Sequence, residues 1–365
     1  MTLGYWLFLL MLIPVIAGIF CWIKYDTIDL KELGAGVAAA IITITVVLSL
    51  GTCSMKRDSE TLSGSVTSAV YIPEWHARWT ELETYTTTDS KGKSQSHTRI
   101  VTRNRHYPPE WHADTTLGRV SITQSFYMQI AEKHGTHSVR GDRYHYYSGD
   151  MNDYISDVHD DPEYCDYPMT QTRSWSNPLK NTQGLHSYRN ISDKEAKSLG
   201  LPQYPQNETF GSSRIIGDIP INIWNWDKLN SYIGPEKHVN LILVNLKGGV
   251  DQAKQLQGYW KNGKKNDLVI CYDGEKNAPA QWCYVFGWSK SELVKLNIQS
   301  LFLEKPINDY LLPDLKAIVL ANYEAHEWAK YKDAPILIGT GWVVAAFIIM
   351  LISQVALYLC FHENN

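Results

Sequence analysis

Short signatures of enzymatic chemistry are missing from this sequence. No GxxxxGK[ST] phosphate loop, GxSxG elbow, HExxH pair or CxxC motif occurs. The sequence-readable forms of nucleotide hydrolysis, serine esterolysis, zinc proteolysis and thiol exchange are therefore absent. Cysteine is scarce, with six in 365 residues, and Cys21, Cys53 and Cys360 sit at the ends of apolar runs. That leaves Cys165, Cys271 and Cys283, an odd and sparse set that makes no disulfide framework. Cys271 and Cys283 fall in neighbouring predicted strands and can meet there, although buried free thiols are the commoner outcome. Charge is also thin, at 20% of residues with a net of -4.

Three runs carry no charge at all: Tyr5–Ile23, Leu33–Met55 and Ala334–Phe361. Each is long enough, at about 1.5 Å per residue, to cross a hydrocarbon core of about 30 Å. None shows the polar face of a soluble amphipathic helix. The first has no Lys or Arg before Tyr5 and ends in Phe20-Cys21-Trp22-Ile23, a bulky interfacial exit unlike a signal-peptide cleavage site. Leu50-Gly51-Thr52-Cys53 resembles a lipoprotein cleavage site, but a hydrophobic segment already precedes it and Thr before the Cys is atypical. The sequence thus predicts an α+β membrane protein. Two transmembrane helices fall within residues 1–55 (about 5–23 and 33–55), and a C-terminal one spans 334–361. Charges inside the spans are missing, which argues against an ion pump or transporter.

Three spans place the segment 56–333 on one side of the bilayer. Lys56, Arg57, Lys330 and Lys332 flank it, against Lys24 and Lys31 opposite, so the positive-inside rule favours a cytoplasmic domain. The expected location is the inner membrane of a bacterium. Within that segment the texture changes. Residues 56–235 are rich in Trp, Tyr, Thr, Ser, His and Pro and show little helical periodicity. There, Arg78–Thr88 and Ser94–Arg105 flank Asp89-Ser90-Lys91-Gly92-Lys93, a strong turn composition, and predict a long hairpin over 78–105. Residues 236–333 read differently. Val239–Leu246 is a continuous apolar run of buried-strand type, followed by Gly248-Gly249 and a helically spaced Val250–Trp260. Asp267–Tyr272 and Gln281–Trp288 read as strands, then helices from about Leu293 to Phe302 and from Ile307 to about Lys330. That order implies an α/β layer unit.

The pentapeptide PEWHA occurs twice, at Pro73–Ala77 and Pro109–Ala113, 36 positions apart. A hairpin turning near Lys91-Gly92 brings residue i opposite about 183 minus i, so the copies meet at its open end. Glu74, His76, Glu110 and His112 can then offer two carboxylates and two imidazoles to a divalent metal, with His106 nearby. The alternative is a structural bracket: Pro ends the pairing, Trp packs inward, and Glu and His share the outer face. A second cation candidate is the acidic stretch with Asp150, Asp153, Asp157, Asp160 and Asp161, which lacks the spacing of an EF-hand loop. A solvated loop explains it equally. Arg99, Arg103 and Arg105 form a basic hairpin face suited to anionic lipid, or to the protection of an edge strand. An acidic, tethered chain with no recognised module is not expected to bind nucleic acid.

Tyr259–Glu275, YWKNGKKNDLVICYDGE, resembles the central part of a TPM domain, an α/β module of bacterial membrane proteins; the likeness covers about 236–330. The layout of a leading hydrophobic segment and a domain before a trailing span is similar too. The repeated Pro-Glu-Trp and Thr-rich hairpin resemble membrane proteins of bacteria and tailed phages, a likeness that implies no activity. The sequence favours a membrane-anchored interaction or assembly protein with an aromatic-rich domain, whose partners are the bilayer and a protein, including a second copy of itself. Gly339 and Gly341 offer close-approach points for such self-association. The rival is a membrane-bound, metal-dependent hydrolase using the PEWHA histidines or the acidic 150–166 stretch.

Overall fold

The structure is a computed structural model that describes residues 16, 18–20, 23, 30–134, 137–140, 148–149, 154–159, 167–177, 188–206, 209–210, 214–326 and 340–364. It is mixed α+β. The first apolar run lies almost wholly outside these residues. Helix α1 (Leu30–Lys56) contains Gly34–Ser54, which among the described residues is the one helix long and apolar enough to cross a membrane. It runs without a linker into β1 (Arg57–Ile72). Then come β2 (Trp75–Thr88), β3 (Ser94–Tyr107), β4 (Glu110–Thr115), β5 (Val120–Ser121) and helix α2 (Gln124–His134). Strands β6 (His137–Arg140), β7 (Ser148–Gly149), β8 (Tyr154–His159) and β9 (Tyr167–Ser176) complete the first half.

Strand β1 organises that half. Its first part pairs with β9 from Arg57↔Ser176 to Val66↔Tyr167, and its second part lies between β4 and β8. Small side chains make this possible: Thr61, Ser63 and Ser68 are buried, and at Gly64 an added Cβ would meet the Thr116 and Leu117 side chains. The predicted hairpin exists, in a shifted register. Trp75 faces Tyr107, not Pro108, and Trp111 faces Tyr71, not Ile72. The cause is the turn, a five-residue loop Asp89–Lys93 between the paired Thr88 and Ser94. An odd loop centres on Lys91, so opposed residues sum to 182. Asp89 Oδ1 accepts from the N–H groups of Lys91 and Lys93, both at 2.9 Å, and Gly92 supplies the positive φ.

The second half follows: α3 (Asp193–Ser198), β10 (Ile215–Ile216), α4 (Ile223–Lys237), β11 (Asn240–Asn245), α5 (Gly249–Tyr259), β12 (Asp267–Asp273), β13 (Trp282–Gly287), α6 (Glu292–Glu304) and α7 (Leu312–Asn322). The helix expected from Ile307 begins instead after a 3-10 turn at Asp309–Leu311 and ends at Asn322. The sheet order is β10-β11-β12-β13, parallel except for β13. Leu241 and Leu243 point into a core with α4, α6 and α7, while Ile242 and Val244 face α5. Burial on both faces is why this strand reads as an unbroken apolar run. The α/β core therefore also draws in residues before 236, namely β10, α4 and Ile191–Leu201.

Helix α8 (Thr340–Asn364) closes the chain and contains the shorter apolar stretch Thr340–Ala356. It packs antiparallel on α1. Met350 and Ala346 meet Ala40, Ile44 and Leu48, Gly51 lies against Trp342, and Gln354 Nε2 donates to the Gly36 carbonyl at 2.9 Å. Gly341 faces open space instead of a neighbour, and Gly339 lies outside the described residues.

Helix α4 touches β1 through a glycine. A Cβ on Gly234 would sit 2.8 Å from Ser63 Cβ and 2.9 Å from the Ser63 carbonyl oxygen. Gly→Ala in a helix ordinarily gains up to about 1 kcal/mol, but overpacking against backbone costs about 1–3 kcal/mol. Gly234→Ala is thus expected to lower the thermal unfolding midpoint of the protein. An unchanged or raised midpoint would mean that this close approach does not exist.

Candidate functional site

The two halves meet through buried polar groups. Asn266, just before β12, places its side-chain amide against the open edge of β1. The Thr61 N–H donates to Asn266 Oδ1 at 3.2 Å, and Asn266 Nδ2 donates to the Thr61 carbonyl at 2.5 Å. A side chain here does the work of a neighbouring strand. Two residues along β1, Ser63 Oγ accepts from Arg214 Nη1 at 2.6 Å. Arg214 is 1% exposed; its Nη2 donates to Asp227 on α4 at 2.6 Å, and its Nη1 also reaches Asn240 on β11. Asn240 Nδ2 then donates to Asp267 Oδ1 at 2.9 Å. On its other oxygen Asp267 accepts from the Tyr204 hydroxyl and the Lys264 N–H, each at 2.7 Å.

Burial sets the ionisation of this network. Burial lowers the affinity of the Arg214 guanidinium for its proton, and the Asp227 carboxylate opposes that shift. Burial pushes the Asp267 carboxyl up, against the three donors that favour its anion. The Tyr204 hydroxyl is driven well above its usual value by burial and then by Asp267. It stays protonated and donates, so it is no general base. Next to this network a cleft of about 320 Å³ is lined by Asp58, Gln203, Tyr204, Tyr259, Lys261 and Lys264, among others. Lys261, Asn262 and Gly263 turn the chain there with positive φ of 53°, 66° and 79°. The Lys264 ammonium stands 4.6 Å from the Tyr204 ring centre and hydrogen-bonds Ser59 Oγ. Aromatic walls and ammonium groups suit binding, and the Tyr259 hydroxyl is held by Asp193 and Gln203.

The PEWHA copies sit where one long ribbon breaks. Ile72↔Glu110 belongs to β1/β4 and Trp75↔Tyr107 to β2/β3, with Pro73 and Pro109 between them. The register pairs the Tyr of each copy with the Trp of the other, Tyr71↔Trp111 and Tyr107↔Trp75. The repeat is longer than PEWHA, Tyr71–Ala77 matching Tyr107–Ala113 except for Ile72 against Pro108. That extension is readable in the sequence, and it marks a local two-fold. Trp111 stacks on Tyr71 with centroids 5.5 Å apart. The carboxylates divide: Glu74 bonds His106 at 2.8 Å, and Glu110 bonds His112 at 3.0 Å. Among the described residues no group of three or more His, Cys, Asp or Glu converges as a metal site. The His76 side chain lies outside them.

Other candidates resolve individually. Asp150, Asp153, Asp160 and Asp161 lie outside the described residues. The backbone of Asp157 is in β8 opposite Val70, and its side chain is not described. Arg99 donates to Glu83 at 2.9 and 2.7 Å, and Arg103 to Glu81 at 3.2 Å, so these cations are answered within the hairpin. The Gly248 N–H, at the head of α5, is taken by Gln252 Oε1 at 2.9 Å. Cys271 and Cys283 do not meet: each faces a tyrosine across the β12/β13 pair, and they enter the cores on opposite faces of the sheet. Burial raises both thiols far above the reactive range.

The chain matches no protein family, no curated protein and no solved structure.

Asp267 carries a pH signature. Its folded carboxyl holds a proton to higher pH than the unfolded chain does, so folding takes up a proton and stability is lost as pH rises through that interval. Urea titrations across the range just above ordinary carboxylate values should show this loss in the parent protein. The limb should be missing in Asp267→Asn. Its persistence in the variant would assign it to another group.

Proposed function

We propose that the protein is a membrane-anchored interaction and assembly protein. Three spans, 5–23, 33–55 and 334–361, hold it in the bilayer, and an α/β unit akin to the TPM domain supports a projecting β-ribbon. The observation that carries this reading is the direct continuation of α1 into β1. No flexible linker separates the apolar helix from the strand on which β4, β8 and β9 are built. The outer faces of α1 and α8 support it too. Ile41, Ile42, Val46, Leu50, Ile348 and Ile352 are all exposed, which suits hydrocarbon and not water. In this reading the membrane is the inner membrane of a bacterium, with the domain on the cytoplasmic face.

The ribbon is the feature presented. Strands of 14 residues reach about 45 Å, and beyond the β7 pairing at Ala77 and Arg78 the two strands have, among the described residues, only each other as sheet neighbours. Nearly every side chain on it is exposed. A network spent on joining halves, not on activating a nucleophile, favours a scaffold over a hydrolase.

Two outcomes are expected. The protein should stay with membranes through alkaline carbonate washing and leave only with detergent; release by carbonate would remove the anchored reading. Elemental analysis should find no stoichiometric zinc or manganese, and His76→Ala with His112→Ala should leave the unfolding free energy within about 1 kcal/mol of the parent. Stoichiometric metal lost from that double variant would sink the pure scaffold reading.

A further inference from the structure

The ribbon's two faces are chemically different. On one, Glu81, Glu83, Arg99 and Arg103 pair with each other, the Trp79 indole N–H donates to Glu81 at 2.8 Å, and Tyr85 stacks on His97. That face satisfies its own charges. The opposite face, from the rung Thr80↔Thr102 to Thr88↔Ser94, carries Thr, Ser and a single apolar rung, Leu82↔Ile100, and no charge at all. Leu82 is 75% exposed and Ile100 73%. Two-stranded ribbons are marginal in water unless a face is covered.

We propose that this uncharged face packs against the same face of a second copy of the chain. The inference rests on the anchored reading above and names its partner. Chemistry selects that occupant. Nucleic acid, anionic lipid and acidic or basic peptides are recognised through charge, and between Thr80↔Thr102 and Thr88↔Ser94 the charged residues Glu81, Glu83, Arg99 and Arg103 lie on the other face and pair there. Hydroxyl groups are donors and acceptors at once, so a threonine ladder is complementary to itself. A two-fold contact through the Leu82–Ile100 rung lays the one apolar pair on its equivalent, with β-branched threonines around it.

The area sets the condition. Five rungs and two strands cover about 30 by 10 Å, roughly 300 Å² per copy, well under the approximately 800 Å² per partner of a stable standard interface. Ribbon packing alone is therefore weak in solution. Confinement of both copies to one bilayer raises their effective concentration and makes it persist. The contact belongs to the anchored protein.

Cysteine crosslinking in vesicles tests this. The full chain with Thr84→Cys, on the uncharged face, should give a disulfide dimer roughly tenfold above Thr87→Cys, on the other face, and above the parent with its own six cysteines. Dilution in detergent should abolish the excess. Adding Leu82→Lys and Ile100→Lys should remove it, as should Thr98→Lys alone, which spares the apolar rung if the double change disturbs the ribbon. Equal crosslinking from both faces, crosslinking of Thr84→Cys only to a different protein, or no dimer from protein that floats with the vesicles would each overturn the inference. Failure to float would instead remove the anchored reading beneath it.

Discussion

Burying the Arg214 guanidinium is the constraint around which the two halves are arranged. A charge at 1% exposure is tolerable only when paired and hydrogen-bonded, because desolvation costs several kcal/mol per ion. Its partners come from three elements: Ser63 on β1, Asp227 on α4 and Asn240 on β11. Asp227 meets the charge, and Ser63 and Asn240 take further guanidinium hydrogen bonds. Replacing a buried pair with apolar residues is often neutral, whereas removing one member typically costs about 3–5 kcal/mol. The pair therefore acts less as a source of stability than as a device that fixes how β1 lies on the α/β sheet.

That geometry extends to the apolar helix α1. β1 begins at Arg57, directly after α1, and Asn266 and Lys264 grip Thr61 and Ser59 only a few residues later. On the same strand Asp58 accepts from the Asn177 side chain, and the Asn177 N–H reaches the Lys56 carbonyl. The exit from the apolar helix is thus held from both sides. At the other end, beyond Ile72, the strand continues in the ribbon through the PEWHA break. Strands β1 and β2 thus run in sequence from the apolar helix to the hairpin tip.

Much of this is legible in the sequence. Continuous apolar runs gave away β11 and β12 because both sheet faces are buried, and the Asp-Ser-Lys-Gly-Lys turn located the hairpin. What escaped is what the polar core hides. Helix α4 buries Asp227, Asn230 and Ser231 beside Trp226 and Ile233, so its inward stripe looks hydrophilic, and Gly234 and Pro235 read as breakers. Strand β1 hides the same way, with Thr61, Ser63 and Ser68 inside. Arg214, in a stretch with no periodicity, gave no signal at all. The register error of one had a simpler cause, since sequence locates a turn but not whether its loop is odd or even.

The doubled PEWHA is best understood through the same geometry. Two identical segments on antiparallel strands are related by a local two-fold, and the Tyr of each faces the Trp of the other. A symmetric metal site would need both glutamates and both histidines to converge on one point. The sequence breaks that symmetry at one position: the residue before Tyr107 is His106, whereas the residue before Tyr71 is Val70. Glu74 reaches across to His106, while Glu110, which has Val70 at the equivalent place, bonds its own His112. The copies are alike where they must pack, in Tyr, Pro and Trp, and differ where β1 must enter a core. Duplication here is a consequence of folding one ribbon through two environments, projecting on one side of the break and buried on the other.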